Sequence, residues 1–215
     1  MKLATSYKPE LCLRVDVPIC AFRPYESREY QDTHPVPPPS AVYGMLLSLC
    51  GVQRADKARH SGVAMALAVE GEPDRSRVFR KLRRGKDLEG IRPDYQDLLS
   101  GMRLWVWLAS GNDAAEQSLT KCIQNALIQP ESINRSGGLS LGESSYLVDS
   151  IKVDEPSSET ALRFLIPDHA GFYSLPVWID HGANQRRRDR FRIDARNAAD
   201  GLPEAWVNIA PSARQ

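Results

Sequence analysis

The stretch from Leu11 to Ala21 reads LCLRVDVPICA, and it decides which fold we expect for this chain. Aliphatic residues alternate with Cys, Arg, Asp and Pro, and this period of two predicts a β-strand. Pro18 within the run favours a sheet edge or a bulge, because proline cannot donate to a strand ladder. The segment from Ser40 to Gly51 then has apolar residues at helical spacing, with Ser40 as the expected N-cap. The chain is therefore expected to begin with a strand followed by a helix.

Four more segments continue this succession of strands and helices. Val63 to Val69 is an uninterrupted apolar run that suits a buried strand, and Met102 to Ala109 and Tyr146 to Val153 alternate as strands do. Ala114 to Ile128 has helical spacing and ends before Pro130. The resulting order, β-α-β-β-α-β, is that of ferredoxin-like and RNA-recognition-motif domains.

We therefore predict an α+β protein with one ferredoxin-like domain over residues 1–153 and a β-rich extension over residues 154–215. In the extension, Ala161 to Ile166 and Phe172 to Ile179 have the composition of two strands, and the pattern indicates no helix. Residues 71–97 differ from their surroundings, because they are highly charged and interrupted by glycines. We interpret them as a hairpin or loop inserted into the domain.

The inserted segment holds seven cations within twelve residues, with three apolar residues between them. Positive charge of this density suits a phosphate backbone, because each contact releases a condensed counterion. A solvated charged face is the alternative interpretation. The predicted RNA-binding residues in this segment are Arg75, Arg77, Arg80, Lys81, Arg83, Arg84 and Lys86.

A second basic cluster, Gln185 to Arg192, adds Arg186, Arg187 and Arg188 to the predicted RNA contacts. The formal net charge of the chain is only +1, so two basic clusters require acidic residues elsewhere. Segregation of charge into local patches is what indicates nucleic-acid binding here, since the balance of the whole chain does not.

Glycines mark further candidate contacts. Gly138 and Gly142 lie in a Gly/Ser-rich run whose backbone N–H groups suit an anion, and a flexible turn is the alternative. No Lys-Ser or Lys-Thr follows, so the run is not a Walker phosphate loop. Gly44, in the middle of the first predicted helix, has two explanations: close packing on a sheet, or close approach of an RNA backbone.

The sequence offers no recognisable catalytic or metal-binding pattern. The carboxylates are scattered, the four cysteines form no CxxC pair, and no histidine has a suitable partner, so we predict no catalytic residue, no metal and no cofactor. Neither an apolar leader nor a membrane-spanning run is expected, which favours a cytoplasmic protein. The histidines are His34, His60, His169 and His181.

Three segments together resemble the Cas-five family of type I CRISPR surveillance complexes. They are Phe22-Arg23-Pro24, Thr33 to Gly51 (THPVPPPSAVYGMLLSLCG) and Gly138 to Ser144 (GLSLGES). The resemblance covers most of Leu11 to Val153 and is greatest to the subtypes related to type I-B and the myxobacterial variant. It implies an RNA-recognition-like domain with a thumb-like hairpin at residues 71–97.

The resemblance also implies a function: a non-catalytic subunit that holds the 5′ handle of the guide RNA in antiviral defence or RNA-guided DNA targeting. Arg23 and Tyr43 would lie beside the handle, and the cations of the thumb would contact its phosphates. The implied partners are the CRISPR guide RNA, the repeated backbone subunit and the large subunit of a Cascade complex, with target DNA near the C-terminal basic cluster.

Two alternatives stay open at this point. Type I-C members of the family cleave precursor guide RNA with Tyr, Lys and His and no metal, and Tyr43 and His34 would be the first candidates here. The sequence has no recognisable Lys-His pair, which argues against an endoribonuclease. The other alternative is a protein-binding scaffold, in which the cluster from Arg75 to Lys86 meets an acidic partner.

Overall fold

A computed structural model describes residues 7–24, 27, 30–83, 91–135, 137–180 and 185–212. Residues 81–83, 91, 92 and 185 are described by their backbone alone. The side chains of Lys81 and Arg83, and all of Arg84, Lys86 and His181, therefore lie outside the description.

The described residues form a mixed α/β structure built on one sheet of ten strands. Every strand pairing is antiparallel except that of the second strand with the fifth. The strands are β1 (Leu11–Cys20), β2 (Tyr30–Gln31), β3 (Ala64–Glu70), β4 (Asp74–Arg83), β5 (Ile91–Ala109), β6 (Ser150–Val153), β7 (Ala161–Pro167), β8 (Tyr173–Asp180), β9 (Gln185–Asn197) and β10 (Trp206–Asn208). The helices are α1 (Pro39–Leu49), α2 (Leu119–Ile128) and the short α3 (Ala198–Gly201).

The main path of the sheet is β6-β1-β5-β3-β7-β9-β8. The second half of β5 pairs with β1 and β3 in the centre, whereas its first half pairs with β4. Gly101, with a φ of 70°, lies where the two halves meet. We call β4 together with residues 91–100 of β5 the thumb hairpin. It occupies the part of the chain where the sequence predicts an insertion.

The first predicted strand is confirmed as β1, whose apolar side chains Leu13, Val15 and Val17 are fully buried. β6 pairs with β1 only as far as Asp16. Pro18 therefore lies past the end of that pairing, where its missing N–H leaves no ladder hydrogen bond unmade on the β6 side.

The start of α1 differs from the prediction. The N-cap is Pro38 rather than Ser40, and Pro39 occupies the first helical turn. Proline suits this position, because its φ is already helical and the N–H it lacks would have no partner within the helix.

The second helix is shorter than predicted and begins at Leu119 instead of Ala114. The Asp113 carboxylate accepts hydrogen bonds from the backbone N–H groups of Ala115 and Leu119, at 3.1 and 2.9 Å. These bonds hold the intervening residues in turns and satisfy one of the free N–H groups at the helix start.

The two faces of the sheet have different covers. On the helix face, α1 and α2 pack with fully buried Val42, Leu46 and Ile123. On the opposite face, alanines of β3 leave room for tryptophan side chains, and the chain from Ala198 to Trp206 covers them. The core of this opposite face includes Ala64, Ala66, Ala68, Trp105, Trp107, Phe164 and Trp206.

The C-terminal part contains the two predicted strands, β7 and β8, and one long strand, β9, that the sequence analysis missed. β9 does alternate: Phe191 is buried on the helix face, while the neighbouring arginines are not. The density of charge concealed this period of two. β6 is shorter than predicted, because the N–H of Tyr146 donates to the carbonyl of Glu143 in a turn.

The sheet continues from the first part of the chain into the second through the pairing of Ala68 with Phe164. The division into two parts at residue 153 stays a prediction. Within the described ranges, no helix has both the length and the apolar character that crossing a membrane requires.

The four cysteines are free, and Cys12 and Cys20 are buried. Burial raises the pKa of the Cys12, Cys20 and Cys50 thiols to about 12. These groups are therefore protonated near neutral pH and fill space in the core, as the sequence predicts.

Candidate nucleic-acid interface

A groove of about 660 Å³ lies beside the first helix. One wall is the outer side of α1, and the others are the 3-10 helix Arg54–His60, residues 135–144 and β8. The polar groups that line it are cationic or hydroxylic, and no described carboxylate does so. These residues are Ser40, Ser48, Arg54, Lys57, Arg135, Ser140 and Ser144.

The positive charge of the groove is not neutralised by the protein. Arg54 and Arg135 are exposed, and neither forms an ion pair with a carboxylate of the described residues. Lys57 Nζ is buried without a hydrogen-bond partner and lies 5.1 Å from the centre of the Trp178 ring. Desolvation lowers the pKa of Lys57, and the charge of Asp180 opposes that effect. An anion in the groove would supply the partner that this ammonium lacks.

Gly44 opens the groove on the side of α1. It is exposed, and a Cβ added there would meet nothing within 4 Å. Close packing on the sheet, one of the two explanations considered for this glycine, is therefore wrong. The helix surface is instead flat at this point, which lets a ligand backbone approach.

Tyr43, a predicted RNA contact, lies behind the groove wall. Its side chain is only 4% exposed, its hydroxyl donates to the carbonyl of Lys57 at 2.6 Å, and its ring is 5.8 Å from that of Trp178. Burial raises the pKa of Tyr43, and the nearby charge of Asp113 raises it further. As arranged, Tyr43 fixes the 3-10 helix against α1 and leaves the cations to face the ligand.

The two glycines predicted as RNA contacts have packing roles in the structure. At Gly142, φ is +89° and a Cβ would lie 2.5 Å from the carbonyl oxygen of Ala21, so the loop needs glycine to reach the end of β1. At Gly138, a Cβ would lie 2.7 Å from the Leu147 side chain. Arg23 is exposed two residues beyond Ala21, close to this loop in sequence and in space.

The thumb hairpin holds two of its predicted arginines on one buried carboxylate. Asp97 accepts hydrogen bonds from Arg75 at 2.6 and 2.9 Å, from Arg77 at 2.8 Å and from the Tyr30 hydroxyl at 3.3 Å. Asp32 also binds Arg75. Desolvation alone would raise the pKa of Asp97, but the bonds from Arg77 and Arg75 outweigh it and hold the pKa below its usual value.

Arg80 lies on the other face of the hairpin and connects it to the glycine loop. Its guanidinium binds the Gln96 amide and lies 4.0 Å from the Glu143 carboxylate. Gln96 in turn donates to Glu143 at 2.8 Å. The hairpin and the loop beside the groove are therefore held together by one polar network.

The arginines of the C-terminal cluster do not face the groove, because they belong to β9. Arg187 donates to the carbonyls of Asn208 and Ala210 at 3.1 and 3.0 Å and pairs with Asp189. Arg188 donates to Ser174, and Arg186 is exposed. The structure thus separates these residues from Arg75, Arg77 and Arg80, although the sequence analysis gave all of them one role.

Sequence reasoning missed the groove cations. Arg54, Lys57 and Arg135 are spread over some eighty positions of the chain, and none lies in a basic cluster. Only the fold brings them together.

Comparison with known proteins agrees with the resemblance noted in the sequence. The family model described as CRISPR-associated protein (Cas_Cas5) matches residues 10–171. The chain is 35% identical over 180 residues to the CRISPR-associated protein Cas5 of Myxococcus xanthus (strain DK1622), covering 80% of this chain and 83% of that protein. Its fold is similar to that of a chain in a solved CRISPR RNA-guided surveillance complex, with a TM-score of 0.62, 16% identity, and coverage of 89% of this chain and 92% of the other. The protein is therefore a member of the Cas5 family of CRISPR-associated proteins.

Proposed function

We propose that this protein binds the 5′ handle of a CRISPR guide RNA and holds it, without cleaving it, within a Cascade-type surveillance complex. The groove carries the proposal, because cations and hydroxyl groups line it and no described carboxylate does. Family membership and the name of the structural relative support a CRISPR RNA as the polyanion, rather than another one.

Each side of the groove has a distinct task in this proposal. Arg54, Lys57 and Arg135 bind phosphates, and Lys57 gains the hydrogen-bond acceptor that the protein does not give it. Gly44 lets the RNA backbone lie against α1. The thumb hairpin extends the basic surface, with Arg80 fixing its position relative to the groove.

The proposal includes the finer description of the fold. The strand order β6-β1-β5-β3, with α1 and α2 on one face, supports a ferredoxin-like core that carries an inserted thumb and a C-terminal β extension. The Myxococcus xanthus relative supports a subtype near the myxobacterial variant. The backbone and large subunits, target DNA and a cytoplasmic location belong to the same proposal.

The endoribonuclease is a second candidate, because one observation favours it. Tyr43, Lys57 and His60 meet at the 3-10 helix beside the groove, although they are not a recognisable motif in sequence. Their arrangement supports a structural role instead: Tyr43 is 4% and His60 1% exposed. The His60 ring is also bound to Asp113 at 3.0 Å. We therefore propose that the RNA is held intact.

Binding of a 5′-labelled, repeat-derived RNA in EDTA tests both candidates. Replacing Arg54 and Arg135 with Ala should weaken binding and reduce the slope of log K against log salt by about 1.4, at roughly 0.7 per phosphate contact. The matched control replaces Lys121 and Lys152, which are exposed and outside the groove, with Ala. Equal affinity of the two double variants would contradict groove binding, and a discrete shorter RNA on a denaturing gel would favour the endoribonuclease.

A further inference from the structure

The part of the opposite face formed by β9 is not covered by the rest of the protein. Arg192 pairs with Ile166, which belongs to the core of that face, and paired residues lie on the same side of a sheet. Strand alternation puts Arg190 and Arg188 on this side as well. The core there draws its residues from other strands and from the covering chain after Ala198, and none from β8 or β9.

Two arginines on this surface keep their charge. Arg188 donates to the hydroxyl and carbonyl of Ser174 at 3.2 and 2.6 Å, which fixes the guanidinium without neutralising it. Arg190 is exposed. No carboxylate of the described residues pairs with either, whereas Arg192 pairs with Glu204 at 3.0 Å. Residues two apart on a strand repeat every ~6.7 Å, so the two charges form a short, regular row.

An exposed aromatic ring stands at the end of this row. Phe172 is 85% exposed and lies in the turn between β7 and β8. The turn is fixed to β9, because the N–H of Asp168 donates to the carbonyl of Arg190 at 2.9 Å. A Cβ at Gly171 would lie 2.3 Å from the backbone of Phe191, so only glycine allows the turn to lie this close.

We infer that Arg188, Arg190 and Phe172 form a second nucleic-acid site, which binds an unpaired strand by its phosphates and one stacked base. A cationic track that ends in an accessible aromatic ring is the arrangement that binds single strands without sequence preference. Phosphate contacts and stacking do not involve the 2′-hydroxyl, so the site takes RNA and DNA alike. It lies on the face of the sheet opposite to α1 and the groove, and it therefore accepts a strand other than the one held there.

Fluorescence anisotropy with labelled dT15 and rU15 tests the inference, with Arg54→Ala/Arg135→Ala as the background that removes groove binding. In that background, Phe172→Ala should weaken both oligonucleotides on the order of tenfold, as expected for loss of one stacked base. Arg188→Ala/Arg190→Ala should reduce the salt slope by about 1.4. Lys121→Ala/Lys152→Ala in the same background should change neither quantity. Unchanged melting temperatures would show that the variants fold.

Three results would overturn the inference: equal binding of dT15 by every variant, a clear preference of the background protein for rU15 over dT15, or no binding of either oligonucleotide by the background. The first would leave Phe172 to a protein partner. These measurements are separate from the proposed function, which fails when Arg54→Ala/Arg135→Ala binds repeat-derived RNA as tightly as the unmodified protein does.

Discussion

Replacing Asp97 with Asn should destabilise the thumb hairpin in a pH-dependent way. One buried carboxylate binds the guanidinium groups of Arg75 and Arg77 and the hydroxyl of Tyr30. Asn keeps the shape of Asp97, but it removes the negative charge and turns an N–H₂ group toward two cations. The variant thus isolates the charge from the packing.

The size of the effect depends on solvent around the partners. Hydrogen bonds to charged groups contribute roughly 1.5–3 kcal/mol each, but the Arg75 and Arg77 side chains are 50% and 54% exposed. Screening at such positions reduces an ion pair to below ~1 kcal/mol. We therefore expect Asp97→Asn to lower the free energy of unfolding by about 1–2 kcal/mol at pH 7.

The sign of the pH dependence follows from the lowered pKa of Asp97 in the folded protein. An aspartate of the unfolded chain titrates near pH ~3.9, so the stabilising charge is fully present above about pH 5 and is lost as the pH falls through the folded pKa. The difference in unfolding free energy between the unmodified protein and Asp97→Asn should therefore shrink between pH 5 and 3.

Urea unfolding followed by tryptophan fluorescence at pH 7, 5 and 3 measures this difference. Asp74→Asn is the matched control, because Asp74 is exposed on the same hairpin and pairs with no cation of the described residues. A difference that stays constant down to pH 3, or equal unfolding curves for the two variants at pH 7, would refute the assignment of Asp97 as the anchor of the hairpin.

Two further predictions concern glycines with opposite roles. Gly44→Ala should raise the free energy of unfolding by about 0.5–1 kcal/mol, because alanine favours a helix and its methyl group meets nothing; urea unfolding measures this, and a loss of stability would contradict the open surface. Gly44→Leu should weaken repeat-RNA binding in a gel-shift assay, and unchanged affinity would show that no RNA approaches α1 there. Gly142→Ala should lower the melting temperature by several degrees, through about 1–3 kcal/mol of backbone strain and the contact with Ala21, and an unchanged melting curve would exclude the packing role.

The sequence was sufficient where a local pattern determines structure. The alternation of Leu13, Val15 and Val17 specified β1, and the composition of residues 71–97 indicated the hairpin, since both signals are carried by neighbours in the chain. β9 escaped prediction, because its inward residue Phe191 stands among arginines that read as one solvated cluster. The start of α2 escaped too, since it depends on hydrogen bonds to the Asp113 carboxylate.

The candidate site was less predictable than the fold. Gly44 was singled out correctly as unusual, but only the structure shows that its surroundings are open. Arg54, Lys57 and Arg135 carry no joint signal in sequence, because their proximity depends on how α1, the 3-10 helix and the glycine loop pack. Basic clusters were visible, yet Arg187 illustrates that local charge does not reveal which guanidinium groups the protein itself occupies.

Photo-crosslinking tests the central claim most directly. Repeat-derived RNA carrying 4-thiouridine at successive positions of its 5′ part would be irradiated with the full chain, and the crosslinked peptides identified by mass spectrometry. The account predicts crosslinks within the segments from Ser40 to His60 and from Arg135 to Ser144, with the RNA otherwise intact. Crosslinks confined to other segments, with none in these two, would contradict it.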